Sequence, residues 1–211
     1  MQVKVKPKKC KCCKAEFTPF RSTQKVCGYA CASKIIKQEQ IAKHKAESNK
    51  LIADLKAKVK THSDWKREFQ AVCNSIVRAL DKGGVCISSL KPLNPKFDAG
   101  HRFARGGFSN LSFNLLNIYA QSVHDNQHKS GNPDGFDNGL KAIYGIELYN
   151  EVHNLKLAYH GLIVTTEMIK TALPIAKSIL KAVIAENKVY DPAERILKRK
   201  QFNKMIGIYT N

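Results

Sequence analysis

The sequence predicts an α+β chain made of several small parts, and three observations carry that expectation. Five of the seven cysteines fall between residues 10 and 31. A lysine-rich run without Pro or Gly follows, from Ala32 to His62. Short β-like segments then bracket a Gly-, Ser- and Asn-rich loop between residues 83 and 132, before the chain returns to helical periodicity. The parts expected are a cysteine-rich, zinc-finger-like module at 1–31, a basic helical linker at 32–62, a strand–loop–strand–helix core at 63–135, and a helical region with a basic tail at 136–211.

Composition narrows the partner. The 211 residues are 43% apolar, enough for a core, and carry a net charge of +19. Lys and Arg that neutralise phosphates release counterions, so this imbalance favours a polyanionic partner. No run approaches the ~18–20 apolar residues of a membrane span. The Lys-rich start has no apolar stretch after it, so no signal peptide is read and a cytoplasmic setting is expected. The partner expected is nucleic acid, not a membrane or a small molecule.

In the first part, Cys10 and Cys13 are separated by two residues, thirteen residues intervene, and Cys27 and Cys31 are separated by three. Cys-x2-Cys and Cys-x3-Cys present two thiolate pairs, the spacing of a tetrahedral structural zinc. Cys12 competes with Cys13 for one position. So few residues rarely fold alone, so the metal supplies most of the stability. In the second part, eight lysines (34, 37, 43, 45, 50, 56, 58 and 60) face three acids, Glu39, Glu47 and Asp54. Helix formers dominate but no apolar stripe forms, so the segment reads as an exposed basic helix or a partly disordered arm, suited to non-specific phosphate contact.

Ser63 is placed to cap the next helix, where Trp65, Phe69, Val72, Ile76 and Leu80 make an apolar face before Gly83-Gly84 ends it. Val85–Ser88 reads as a short strand, Phe97–His101 as a second, residues 102–112 as a loop, and Leu115–Tyr119 as a third strand. Residues 123–130 read as a short helix that carries Asn126 and Lys129 on one side. Beyond it, helices are expected over 138–149 and 165–185, with a basic tail from Arg195 to Lys204 as a second phosphate contact or a disordered end.

A His on the first strand and an Asn on the following helix give the layout of a ββα-metal (HNH-like) nuclease core. Phosphodiester hydrolysis needs a general base and a divalent cation to stabilise the departing oxygen. His101 is the candidate base. Asp98 and an Asn carbonyl are a plausible partial shell for Mg2+, which prefers oxygen ligands. Asn117 can instead tie the loop to the hairpin and orient His101. His124 and His128, four apart, offer a rival His-x3-His pair.

Asp98-Ala99-Gly100-His101, Phe113-Asn114-x-x-Asn117-Ile118 and Asn126-Gln127-His128-Lys129-Ser130-Gly131-Asn132 closely resemble the NinG (Rap) recombination endonucleases of lambda-like bacteriophages, within the HNH superfamily. The resemblance runs over roughly residues 6–186 and includes the cysteine pairs and the Lys-rich segment. It implies a structure-specific endonuclease that cuts branched DNA such as Holliday junctions and D-loops. It implies Mg2+ or Mn2+ at the catalytic site and structural Zn2+ at the N-terminal cysteines. Position by position, His101 matches the general base, Asn117 the middle Asn of the motif, Asn126 the helix residue that binds the divalent ion, and Lys129 the Lys that follows it. Asp98 and His128 complete the candidate ligands, and Arg102, Arg105 and Lys129 are the candidate DNA contacts. A homodimer would suit a symmetric junction.

Two departures from the family stand out. Many superfamily members carry a metal-binding acid directly before the His, where this chain has Gly100. The family also has two further Cys pairs flanking the hairpin, where this chain has Cys86 with Ser89 and Ser122 with Asp125. A second zinc is therefore not expected. The hairpin is expected to be held by apolar packing of Ile87, Phe97, Leu116, Ile118 and Val123 against the helix that ends at Leu80. Two other functions stay open: a non-catalytic protein that binds branched or single-stranded DNA, and an HNH nuclease of other specificity.

Overall fold

A computed structural model describes residues 6–209 and divides the chain into two compact units, Met1–Lys60 and Thr61–Asn211. In the first unit, β1 (Lys8–Lys9) pairs antiparallel with β2 (Glu16–Phe17), and α1 (Tyr29–Lys58) follows. α1 is rich in Ala, Lys, Gln and Glu, all strong helix formers, which explains its length. It has no apolar face, and Ile36, Ile41, Leu51, Ile52 and Leu55 are all exposed. The basic segment is therefore a helix.

The second unit contains α2 (His62–Leu80), β3 (Asp98–His101), β4 (Ile118–Gln121), α3 (Pro133–Ala158), α4 (Thr166–Glu186) and α5 (Pro192–Ile206). α2 starts one residue before the expected cap. Thr61, not Ser63, accepts from Asp64 N–H, and the Asp64 carboxylate accepts from Thr61 N–H at 3.0 Å. This reciprocal box satisfies two end groups at once. The apolar face of α2 buries Phe69, Cys73, Ile76, Val77 and Leu80 in one core with Ile169, Leu173, Ala176 and Ile179 of α4. Trp65 packs on the edge of that core.

β3 and β4 form an antiparallel pair in the register Asp98↔Gln121, Ala99↔Ala120, Gly100↔Tyr119 and His101↔Ile118. Two expected strands differ. Val85–Ser88 makes an isolated bridge, Val85 to Pro92, with Cys86 N–H donating to Lys91 O at 2.8 Å and Ile87 N–H to Ala120 O at 3.0 Å. Residues 115–117 form a 3-10 turn and the strand begins at Ile118, because the Asn114 side chain caps that turn by accepting from Leu116 N–H. Residues His124–His128 form a single π-helical turn instead of an α-helix. α3 is longer than expected and kinks at Gly145, whose φ is +88°. Its Gly139 lies against the 86–89 segment so closely that a Cβ there would sit 1.6 Å from Ile87 O.

The basic tail is neither disordered nor free for phosphate along its length. It is α5, capped by a box between Asp191 and Glu194. Arg199 of α5 is fully buried and forms an ion pair with Asp81 at 2.8 Å. The same guanidinium donates to Leu115 O and Ile118 O, and lies over the Tyr119 ring. Asp81 Oδ2 also accepts from Ala120 N–H at 2.8 Å. One carboxylate thus joins the end of α2, strand β4 and helix α5. Among the described residues no helix is long and apolar enough to cross a membrane.

Candidate functional site

The first unit brings four cysteines together: Cys10 and Cys13 from the turn between β1 and β2, Cys27 from the segment before α1, and Cys31 from α1 itself. Cys10 N–H donates to Ala15 O at 2.8 Å and Lys14 N–H to Cys10 O at 3.0 Å, which closes a tight turn. Cys27 N–H donates to Cys10 Sγ at 3.3 Å. Cys31 stands in the first turn of α1. The sulfurs of Cys10, Cys13, Cys27 and Cys31 all lie within 4.8 Å of one another, with Cys13–Cys27 at 3.6 Å and Cys27–Cys31 at 3.5 Å. These distances exceed the ~2.05 Å of a disulfide. They approach the ~3.8 Å that separates sulfurs held ~2.3 Å from a tetrahedral zinc. Burial pushes the Cys10 thiol up, but the N–H groups of Cys13, Cys27 and Cys12 outweigh it and bring its pKa to about 6. The cluster can hold a metal such as zinc, and Cys12 stands outside it.

The second unit gathers polar side chains around a cleft lined by Asn74 and Arg78 of α2, Asp98 and His101 of β3, Arg105 of the loop, and Asn126 of the π-turn. Asp98 Oδ2 accepts from Asn126 Nδ2 and from Gln127 Nε2, each at 2.9 Å. That pairing leaves Asp98 Oδ1 and Asn126 Oδ1 as oxygens without a hydrogen-bond partner among the described residues. His101 Nε2 lies 3.0 Å from Ser112 O and 3.3 Å from Gln70 Nε2. A carbonyl accepts only, so it selects the tautomer with the proton on Nε2 and leaves Nδ1 as the basic nitrogen. Burial, with the charge of Arg105 adding to it and the Ser112 carbonyl opposing, lowers the His101 pKa from 6.5 to about 4. The ring is therefore neutral at neutral pH, as a proton acceptor must be.

Asn117 is fully buried and does not reach this cleft. Its Oδ1 accepts from Phe103 N–H at 2.8 Å, and its Nδ2 donates to Phe103 O and Leu111 O at 3.1 Å. It staples the 102–111 loop beneath His101 and acts as a positioning residue. Arg102 is also turned inward. Its Nε and Nη2 grip Asp137 at 2.5 and 2.6 Å, and His153 joins the same carboxylate at 2.9 Å. Burial raises the Asp137 pKa, but Arg102 and His153 outweigh it and hold it below the usual range. The guanidinium that spacing offered to DNA is thus an anchor between loop and α3. Arg105, in contrast, is exposed at the rim.

His128 and Lys129 line a second cleft, with His124, Cys86, Ser122 and Asp125. The structure therefore does not bring His128 to Asp98, His101 and Asn126. The His124 and His128 rings stand 5.8 Å apart. Beneath them, Ser88 Oγ donates to Asp125 Oδ2 at 3.0 Å, Asp125 N–H donates to Ser122 Oγ at 3.1 Å, and Ser122 N–H donates to Cys86 Sγ at 3.2 Å. Lys129 pairs with Asp125 at 3.2 Å. Burial raises the Asp125 pKa, but the Ser88 hydroxyl and Lys129 more than offset it. This polar knot shares the clamping of the hairpin, which apolar packing alone was expected to provide. Ile87, Leu116 and Ile118 are in the core as expected, whereas Phe97 and Val123 are only half-buried.

Gly100 also receives a physical reason. A Cβ at that position would lie 2.0 Å from Gln121 Oε1, so no acid fits before His101 while Gln121 crosses the hairpin. Gln121 is held there by its Nε2, which donates to Ser88 Oγ at 2.9 Å and Gly131 O at 2.6 Å. Sequence reasoning missed Gln70, Asn74 and Arg78. Their spacing of four on the side of α2 away from its apolar face was the signal available.

A four-cysteine cluster that could hold a metal, and a second unit in which a neutral His, an Asp and an Asn share one cleft, define a two-unit α+β protein. The chain belongs to the NinG family: the family profile described as Bacteriophage Lambda NinG protein matches residues 2–184. It is 31% identical to Protein ninG of Enterobacteria phage H19B over 159 residues, which covers 69% of this chain and 75% of the relative. Protein ninG of Escherichia phage lambda is 29% identical over 156 residues, 67% of this chain and 76% of the relative. Protein ninG of Salmonella phage P22 is 30% identical over 134 residues, 57% of this chain and 66% of the relative. No solved structure matches the chain.

Proposed function

We propose that the chain is a metal-dependent endonuclease of phage recombination, with an HNH-like core, that cuts branched DNA by phosphodiester hydrolysis. The observation that carries this reading is the shared cleft of His101, Asp98 and Asn126, with the imidazole neutral and held through Nε2 by the Ser112 carbonyl. His101 Nδ1 takes the proton from the attacking water. The Ser112 carbonyl fixes the ring so that its basic nitrogen does not turn away. Asn117 ties down the loop that leads into Ser112. Asp98 Oδ1 and Asn126 Oδ1 would hold Mg2+ or Mn2+, and two free oxygens suit a hard cation that keeps several waters. Such an ion, when bound, stabilises the negative charge on the departing oxygen. Arg105 and Arg78 at the rim attract the phosphate.

The preference for branched DNA follows family likeness alone, because positive charge binds any DNA, and a homodimer with two clefts would suit a symmetric junction. The test compares cleavage of a four-way junction, a D-loop and a linear duplex, with Mg2+ or Mn2+ and with no added divalent ion. Metal-dependent nicking of the branched substrates above the linear control supports the reading. Tight junction binding without any metal-dependent nicking would assign the protein to DNA binding alone, and equal cutting of linear duplex would assign it to a nuclease of other specificity.

A further inference from the structure

The cleft around His101 continues into a second groove along α2. That groove is lined by His62, Ser63, Lys66, Arg67, Gln70 and Asn74 of the helix, and by Arg105 and Ser112 across from it. Asn74 and Arg105 line both hollows. The helix therefore has two opposed faces. One is apolar and buried. The other runs Ser63, Lys66–Arg67, Gln70, Asn74 and Arg78 at helical spacing. Gln70 Nε2 donates to Asn74 Oδ1 at 2.8 Å in the middle of this face and also approaches His101.

Charge gives the face a direction. Several basic side chains of this unit are ion-paired, among them Arg67 with Asp64, Lys129 with Asp125, Lys177 with Glu68, Lys198 with Glu186 and Lys200 with Glu151. Lys66, Arg78 and Arg105 have no ion-pair partner among the described residues. The two hollows together are lined by one carboxylate, Asp98, at the end where the ion would sit. From Lys66 to Arg78 the helix rises ~18 Å. That is the length of about five phosphate intervals on one strand of DNA. An open, elongated, amide-lined groove with cations at both ends fits a chain of phosphates and not a compact anion.

We infer that the polar face of α2 is the track for the cut strand, with Lys66 and Arg105 holding phosphates on one side of the cleft and Arg78 on the other. This rests on the nuclease reading for the word "cut", but the track itself is a DNA-binding claim that is measured separately. The helix presents the strand to His101, because Gln70, which borders the imidazole, and the cations that contact phosphate line the same groove.

The test is binding of a fluorescent four-way junction to the full chain, without added divalent ion, over a range of KCl concentrations. Each phosphate contact removed lowers the slope of log Kd against log salt by about one. Lys66→Ala and Arg78→Ala should each lower it by about one, the double variant by about two, and Lys66→Arg should retain the parent slope. Lys181→Ala, which removes an exposed cation of α4 outside both hollows, should leave the slope unchanged. Trp65 fluorescence melts show that each variant is folded. Unchanged slopes in the folded double variant, or an equal fall for Lys181→Ala, would overturn the track. Slopes that fall as stated in a protein that never nicks DNA would keep the track and remove the nuclease reading. Nicking with unchanged slopes would do the reverse.

Discussion

Replacing Arg199 with alanine probes how the strand pair under the cleft is held. Arg199 is fully buried, and Asp81 is 3% exposed. The variant leaves the Asp81 carboxylate in the core with only Ala120 N–H to solvate it, and strips a donor from Leu115 O and Ile118 O. Breaking a buried pair from one side costs about 3–5 kcal/mol. With a urea m-value of about 2 kcal/mol/M, the midpoint falls by about 1.5–2.5 M. Trp65 is the single tryptophan of the chain and sits on α2, so its fluorescence follows this unit alone. Asp81→Asn combined with Arg199→Met should recover a large part of the loss. A loss under about 1 kcal/mol would refute the claim that this pair ties α2, β4 and α5 together.

Other measurements follow from the same contacts. Asn117→Ala removes the partners of Phe103 N–H, Phe103 O and Leu111 O. It should lower stability by about 2–4 kcal/mol and speed amide exchange at Phe103, while junction affinity stays near the parent value. Metal analysis should find about one zinc per chain, and Cys13→Ser should lose it. Chelation should abolish amide protection across Lys9–Phe17 and leave the Trp65 melt unmoved. His101 adds a pH dependence, because its folded pKa of about 4 lies below the unfolded value of 6.5. The unfolded chain binds the extra proton between these values, so the His101 contribution is full above pH 6.5 and is lost as pH falls towards 4. Its upper bound is about 3 kcal/mol, read as the difference between parent and His101→Ala urea curves at the two pH values.

Different parts of the fold were legible in the sequence to different degrees, for physical reasons. The cysteine spacing implied its cluster because two closely spaced Cys pairs suit convergence on one tetrahedral point. Trp65, Phe69, Ile76 and Leu80 marked α2 because a long amphipathic period has few other readings. The Asp98–His101 strand and the Asn126 turn could be placed, but their partners could not. Nothing local shows that Ser112 O meets His101, or that Gln121 fills the space over Gly100, since these contacts join distant segments. Arg102 and Arg199 looked like phosphate contacts because charge alone carries no depth; tertiary pairing with Asp137 and Asp81 turned both inward. The polar face of α2 was readable, but its meaning depended on what lies opposite it.

The central claim is that His101 is the base of a metal-dependent nuclease. The most direct measurement is cleavage of a synthetic four-way junction by parent and His101→Ala protein, in Mg2+ or Mn2+, with junction affinity determined on the same preparations. Loss of cleavage by at least ~100-fold, the low end of what a general base contributes, with affinity nearly unchanged, is the predicted result. A His101→Ala protein that cuts the junction at the parent rate would contradict it.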